Sequence, residues 1–191
     1  MARNKERVIR VLTNHLNGSL SKYKLAKLAN TSFSWTHDIL NELEKRKLIK
    51  KTEVVNFKKL MGYWLKIHKK PKIRVYSIQD PIKLLKRTKY DYALTTYMAE
   101  NLIQRHLFPS RVDCYIKEKD LKKWHTLLCK DGLYGGGNFR VFVEDEHVFY
   151  KRQTINSLKV VSTPQLILDL FVEGGVCVEA AEMLLKKYKN V

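Results

Sequence analysis

Ser34, His37, Asp38, Asn41 and Lys45 recur at intervals of three and four residues, the spacing that gathers side chains on one face of a helix. Each carries a group able to meet the edge of a base pair. The Asn41 amide can pair bidentately with adenine, Ser34 and His37 can donate or accept, and Asp38 can accept from cytosine N4 or orient a neighbour. Presented to the major groove, such a face reads sequence; in the plainer alternative it is a solvated helix face with a structural role. Trp35 and Phe33, at the start of the stretch, suit either a lid over the core or contact with a DNA sugar or thymine methyl, and Trp35 is counted with the base-contacting set.

The elements needed to hold that face are legible around it. Asn4 to Asn17 reads as a helix with Val8, Leu12 and Leu16 in one apolar stripe, stopped by Asn17-Gly18. Ser21 offers an N-cap to a short helix, SKYKLAKLA, whose Leu25, Leu28 and Ala29 face inward. Asn30-Thr31 ends that helix and Ser32 caps the next. Thr36, Ile39, Leu40 and Leu43 then form the apolar stripe that turns Ser34, His37, Asp38, Asn41 and Lys45 outward. Leu48 and Ile49 close the core after the helix ends near Arg46.

Two short helices joined by a tight turn, followed by a basic hairpin, are the pattern of a helix-turn-helix with a wing. The stretch LAKLANTSFSWTHDILNELEKRKLIKK resembles the core of winged-helix transcription regulators. On that reading Lys50 to Val55 and Tyr63 to Ile67 are the wing strands, and Asn56 to Gly62 is the tip carrying Lys58 and Lys59. Lys22, Lys24, Lys27, Lys50, Lys51, Lys58 and Lys59 are expected to meet phosphates, which position a protein on DNA without specifying sequence.

The charge of the chain is located, not spread. Of the net +18, residues 1–72 hold +13, residues 73–89 hold +4 and residues 90–191 hold +1. A lysine-rich surface of general origin would be even and matched by glutamate. This distribution points to a polyanion partner for the N-terminal part. No apolar run approaches the roughly 20 residues of a membrane span, and MARNKERVIR has no apolar signal core. A cytoplasmic, nucleoid-associated protein with no membrane partner is therefore expected.

Beyond His68-Lys69-Lys70-Pro71 the pattern changes. Residues 71–89 are expected to be a basic connector containing a short strand, Ile73 to Ile78, and a helical turn, IKLLKR, begun by Asp80-Pro81. Residues 90–191 read as a nearly neutral domain, so that the fold class is α+β throughout. Its expected elements are a helix from Asp91 to His106, a strand from Arg111 to Ile116 and a helix from Asp120 to Lys130 capped by Asp120. A glycine-rich loop, Asp131 to Asn138, is followed by a hairpin of Phe139–Val143 and Val148–Tyr150 around Glu144-Asp145-Glu146. A strand from Leu158 to Val161 and helices from Thr163-Pro164 to Phe171 and from Val178 to Lys189 complete it.

Other chemistry is weakly signalled. Gly135-Gly136-Gly137 lacks the Lys-Ser/Thr of a phosphate loop and leads into a strand, so a turn is expected. Asp113 stands where a nucleotidyltransferase would place a metal-binding carboxylate, but V-D-C-Y offers no second acid two residues on. Cys114, Cys129 and Cys177 are far apart, with no C-x-x-C pair and no histidine at ligand spacing, and are expected to be inert thiols. No catalytic residue, metal or cofactor is expected.

The segments YDYALTTYMAENLI, RVDCYI, LKKWHTLL and VVSTPQLILDLFVEGGVCVEAAEMLLKK are similar to the AbiEi family, antitoxins of type IV toxin-antitoxin systems with an N-terminal winged helix. The resemblance covers roughly residues 73–191 and is most specific over Val160 to Leu185. It implies a transcriptional regulator that represses its own operon, with a nucleotidyltransferase-like toxin encoded beside it and no catalytic residues to transfer. Double-stranded operator DNA is the expected partner, a homodimer a further one. The competing expectations are a protein- or RNA-binding adaptor that uses the winged helix, and a nucleotidyltransferase-like enzyme.

Overall fold

The computed structural model describes residues 2–189, so Met1 and the Asn190-Val191 end of the second expected domain lie outside the described residues. The chain is mixed α+β and divides into two compact units, Met1–Lys69 with Leu185–Val191, and Lys70–Leu184.

In the first unit, helix α1 (Ala2–Thr13) packs against α2 (Lys22–Leu28), α3 (Phe33–Lys45) and α4 (Phe57–Ile67), with a minimal hairpin of β1 (Ile49–Lys50) and β2 (Glu53–Val54) between α3 and α4. The core gathers Val8, Ile9 and Leu12 of α1, Leu25 of α2, Ile39, Leu40 and Leu43 of α3, and Leu60, Met61 and Trp64 of α4. Helix α1 stops at Thr13, short of the expected Asn17. There the Thr13 hydroxyl donates to the Ile9 carbonyl at 2.9 Å and the Asn14 amide to the Arg10 carbonyl at 2.8 Å, local bonds that compete with helix propagation. Asn17 instead bridges to Glu53, and Gly18 permits the approach: its φ is +67°, and a Cβ there would stand 2.8 Å from the Glu53 Cβ.

The expected wing is corrected by the structure. Residues 57–67 are helix α4, not a tip and returning strand, and the hairpin turns tightly at Lys51, whose φ is +58°. The Asn56 side chain accepts from the Lys59 N–H at 3.0 Å and caps the helix, while Phe57, Leu60, Met61 and Trp64 supply its buried stripe. That stripe is present in the sequence, interleaved with the lysines and Gly62 that suggest a tip. Deeper in the unit, the Glu6 carboxylate accepts from Trp64 Nε1 at 3.2 Å and lies 2.7 Å from His68 Nδ1. Burial pushes the Glu6 carboxyl up, but the bonds to His68 and Trp64 and the charge of Arg10 outweigh it and hold the group below its usual range.

The second unit is built on a seven-stranded mixed sheet. Its elements in chain order are β3 (Lys72–Ile78), α5 (Pro81–Arg87), β4 (Ala93–Thr95), α6 (Thr96–Ile103), β5 (Val112–Lys117), α7 (Leu121–Asp131), β6 (Gly132–Tyr134), β7 (Phe139–Glu144), β8 (Gln153–Ile155), β9 (Leu158–Val160), α8 (Thr163–Glu173) and the part of α9 (Cys177–Lys189) up to Leu184, the rest of that helix belonging to the first unit. The strand order is β6-β3-β7-β5-β4-β9-β8, with β5 parallel to β7, β4 parallel to β9, and the remaining pairs antiparallel.

Residues 71–89 are therefore no connector: β3 lies between β6 and β7, and α5 follows it. The stretch read as a helix from Asp91 to His106 holds β4 and becomes α6 only at Thr96, because Ala93, Leu94 and Thr95 are wholly buried in the sheet. The stretch read as a glycine loop holds β6. Gly137, with φ +127°, allows the chain to graze β3, since a Cβ there would lie 2.5 Å from the Ser77 Cα. The expected hairpin at 139–150 is absent. Strand β7 pairs in parallel with the distant β5, and residues 146–149 form a short 3-10 turn capped by Asp145, which accepts from the His147 N–H at 2.8 Å. Asp120 stands before α7 without a side-chain cap bond and faces Lys123 at 3.8 Å instead. The structure also adds β8, a strand without a signal of its own in the sequence pattern.

Candidate nucleic-acid interface

Helix α3 is positioned from both ends and from one flank. Ser32 Oγ accepts from the Trp35 N–H at 3.2 Å, and the Thr36 hydroxyl, 2.7 Å from that of Thr31, donates back to the Ser32 carbonyl at 2.9 Å. At the far end the Leu48 N–H returns to the Leu43 carbonyl at 3.1 Å, with Lys47 left-handed at φ +57°, a cap that reverses the chain into β1. On the flank, Glu42 accepts from Lys5 Nζ at 2.5 Å and from the Tyr63 hydroxyl at 2.8 Å, tying α3 to α1 and α4. Those bonds hold the Glu42 carboxyl below its usual range, first through Lys5 and then through Tyr63.

Thr36, Ile39, Leu40 and Leu43 are buried in this arrangement. Ser34, Asp38 and Lys45 are exposed, Trp35 is 39 % exposed, and His37 and Asn41 are half-buried. The six side chains thus lie off the buried stripe, with Phe33 stacked on His37 at a centroid distance of 6.2 Å.

The phosphate candidates are distributed over several elements. Lys22, Lys24 and Lys27 lie on α2, Lys50 in β1 and Lys51 in the hairpin turn. Lys58 and Lys59, expected at a wing tip, occupy the first turn of α4. All but the half-buried Lys22 are exposed, and among the described residues none of the seven side-chain ammonium groups is within ion-pair distance of a carboxylate, although the Lys51 backbone N–H donates to Glu44 Oε1 at 2.9 Å. Sequence reasoning passed over Tyr23, which stands 71 % exposed between the α2 lysines. Its flanking by lysines on a helix with an inward Leu25 was the available signal.

Asp113, the other acid singled out, is fully committed. Arg140 donates to it through Nε at 2.8 Å and a terminal nitrogen at 2.7 Å, Arg111 Nε at 3.2 Å, and Thr96 through its hydroxyl. Glu173 shares both arginines. Burial pushes the Glu173 carboxyl up, but the two guanidiniums hold it below its usual range. Cys114 and Cys177 are buried and Cys129 is exposed. Against the expectation of no histidine at ligand spacing, Cys129 lies one helical turn beyond His125, Sγ to Nδ1 3.7 Å. Among the described residues no group of three or more His, Cys, Asp or Glu is placed to hold a metal ion, and no helix is long and apolar enough to cross a membrane.

The chain gives no significant match to a protein-family model, to a curated protein or to a solved structure.

Proposed function

We propose that the first unit binds double-stranded DNA, with α3 in the major groove and the lysines of α2 and of the β1–β2 hairpin on flanking phosphates, and that the protein is a sequence-specific transcriptional regulator. One observation carries this reading. The hydrogen-bonding face of α3 is presented off the core by a capped helix-turn-helix, beside lysines whose side-chain ammonium groups form no ion pair among the described residues. The +13 of residues 1–72 supplies the attraction to a polyanion. Without the expected wing, the lysines of the hairpin turn and of the first turn of α4 remain as the further basic groups. The finer role, an autorepressing antitoxin paired with a nucleotidyltransferase-like toxin, rests on the AbiEi resemblance of the second unit.

A gel shift on the gene's own upstream region against random duplex tests the reading. Preferential retardation of the upstream region supports it; equal binding leaves no sequence reader, and no binding sinks the DNA role. A second reading has its own observation: exposed Tyr23 and Phe33 would equally serve a structured RNA or a protein surface. Tighter binding to a structured RNA than to either duplex would favour it.

A further inference from the structure

Several cations of the second unit are paired within it. Lys117, Arg152 and Lys159 converge on Asp91, and Arg111 and Arg140 on Asp113 and Glu173. Lys83, Arg87 and Lys130, by contrast, form no ion pair among the described residues. They line one groove of about 510 Å³ between α5 and α7. Lys83 and Arg87 stand one helical turn apart on α5, and Lys130 faces them from α7. The remaining lining includes apolar side chains, buried Ile78 with half-buried Leu84 and Leu127.

We propose that this groove binds a small organic phosphate of mononucleotide size, its phosphate held by Lys83, Arg87 and Lys130 and its ring system against Leu84 and Leu127. Two side chains of opposite sign to the cations also line the groove, and neither blocks this. Asp80 is occupied in capping α5, its Oδ1 accepting from the Lys83 N–H at 2.9 Å, and Asp131, at the end of α7, is an acceptor suited to a sugar hydroxyl or an exocyclic amine. The guanidinium of Arg87 gives a planar fork that matches phosphate oxygens, and the two lysines add point charges. The volume lies within the roughly 300–1,000 Å³ of small-molecule sites. Concavity and an apolar wall separate this site from a nucleic-acid backbone surface, which needs a cationic strip and no apolar wall. The proposal does not depend on how the first unit meets DNA.

Isothermal titration calorimetry on the full chain tests it, with adenosine monophosphate, adenosine, inorganic phosphate and random duplex DNA as probes. Adenosine monophosphate is expected to bind more tightly than adenosine or inorganic phosphate. The double variant Lys83→Ala/Arg87→Ala should weaken it by at least about tenfold. Lys86→Ala, an exposed cation on the same helix outside the groove, should leave it unchanged. Absence of binding, equal binding by the double variant, or binding no tighter than that of inorganic phosphate overturns the proposal. So does displacement of adenosine monophosphate by random duplex from a chain carrying Lys24→Ala/Lys27→Ala, which would assign the groove to a nucleic-acid backbone. The replaced side chains are exposed, so the variants should fold, and unchanged circular dichroism checks this.

Discussion

The Asp113 carboxylate and the Arg140 guanidinium face each other across neighbouring parallel strands, joined by two hydrogen bonds of 2.8 and 2.7 Å. The register places them directly opposite, Asp113 on β5 and Arg140 on β7, with Thr95 and Val75 continuing the row on either side. Asp113 is fully buried, and burial that would lower the Arg140 pKa is outweighed by its bonds to Asp113 and Glu173, which push it up. The pair joins the middle of the sheet to the end of α8 through Glu173.

Arg140→Ala should consequently destabilise the protein by about 3–5 kcal/mol, since it strands a buried carboxylate with one arginine and a hydroxyl. Urea unfolding measures this. In a double-mutant cycle with Asp113→Ala, the combined destabilisation should be smaller than the sum of the two single effects; strict additivity would mean that the pair contributes no coupling.

Asp91 provides a pH signature. Burial pushes its carboxyl up, but Lys117, Lys159 and Arg152, at 2.9, 3.0 and 2.9 Å, outweigh burial and hold it well below the usual carboxylate range. A carboxyl depressed in the folded state stabilises above its unfolded pKa of about 3.9 and loses that contribution as pH falls towards the folded value. Asp91→Asn should be less stable than wild type at pH 7, and the gap should narrow below about pH 4. Thermal melts across that range would show a constant gap if Asp91 does not titrate in this way.

Gly137→Ala should destabilise by about 1 kcal/mol or more, because φ is +127° and the added Cβ would press on the Ser77 backbone at 2.5 Å. Gly136→Ala, with nothing within 4 Å, is the control and should be near neutral in the same melts.

If the first unit reads DNA as proposed, replacing Lys22, Lys24 and Lys27 together by Ala should flatten the plot of log affinity against log salt by about 0.9 for each phosphate that is no longer neutralised. Operator and random duplex should be affected alike. A fall confined to operator would mean that α2 reads bases.

Asn41 and Leu43 separate recognition from folding, because Asn41 is half-buried off the core stripe and Leu43 is buried within it. Asn41→Ala should narrow the gap between operator and random duplex by about 1–3 kcal/mol, some 5-fold to 150-fold, with the melting temperature held. Leu43→Ala should lower stability by about 2–5 kcal/mol. The opposite pattern would mean that α3 presents a different face.

The sequence by itself determined helices α2 and α3. Ser21 and Ser32 as caps, and Thr36, Ile39, Leu40 and Leu43 as the buried stripe of α3, are local signals, each expressed within one or two helical turns, and the structure contains them. The concentration of charge in the first 89 residues was likewise legible from composition alone. Tertiary structure decided what depends on distant partners. Strand β7 pairs with β5 and β3, each more than 20 residues away, so its neighbours could not be read from its own alternation. The same holds for the bond from Asp113 to Arg140, 27 residues on, and for the groove cations, which α5 and α7 bring together from positions 83, 87 and 130. Residues 57–67 lie between these cases: their helical stripe was local, but whether they formed a wing or a helix was decided by the core that Leu60, Met61 and Trp64 complete. Apolar burial against α1 stabilises a helix there, and a solvated hairpin arm would have forgone it.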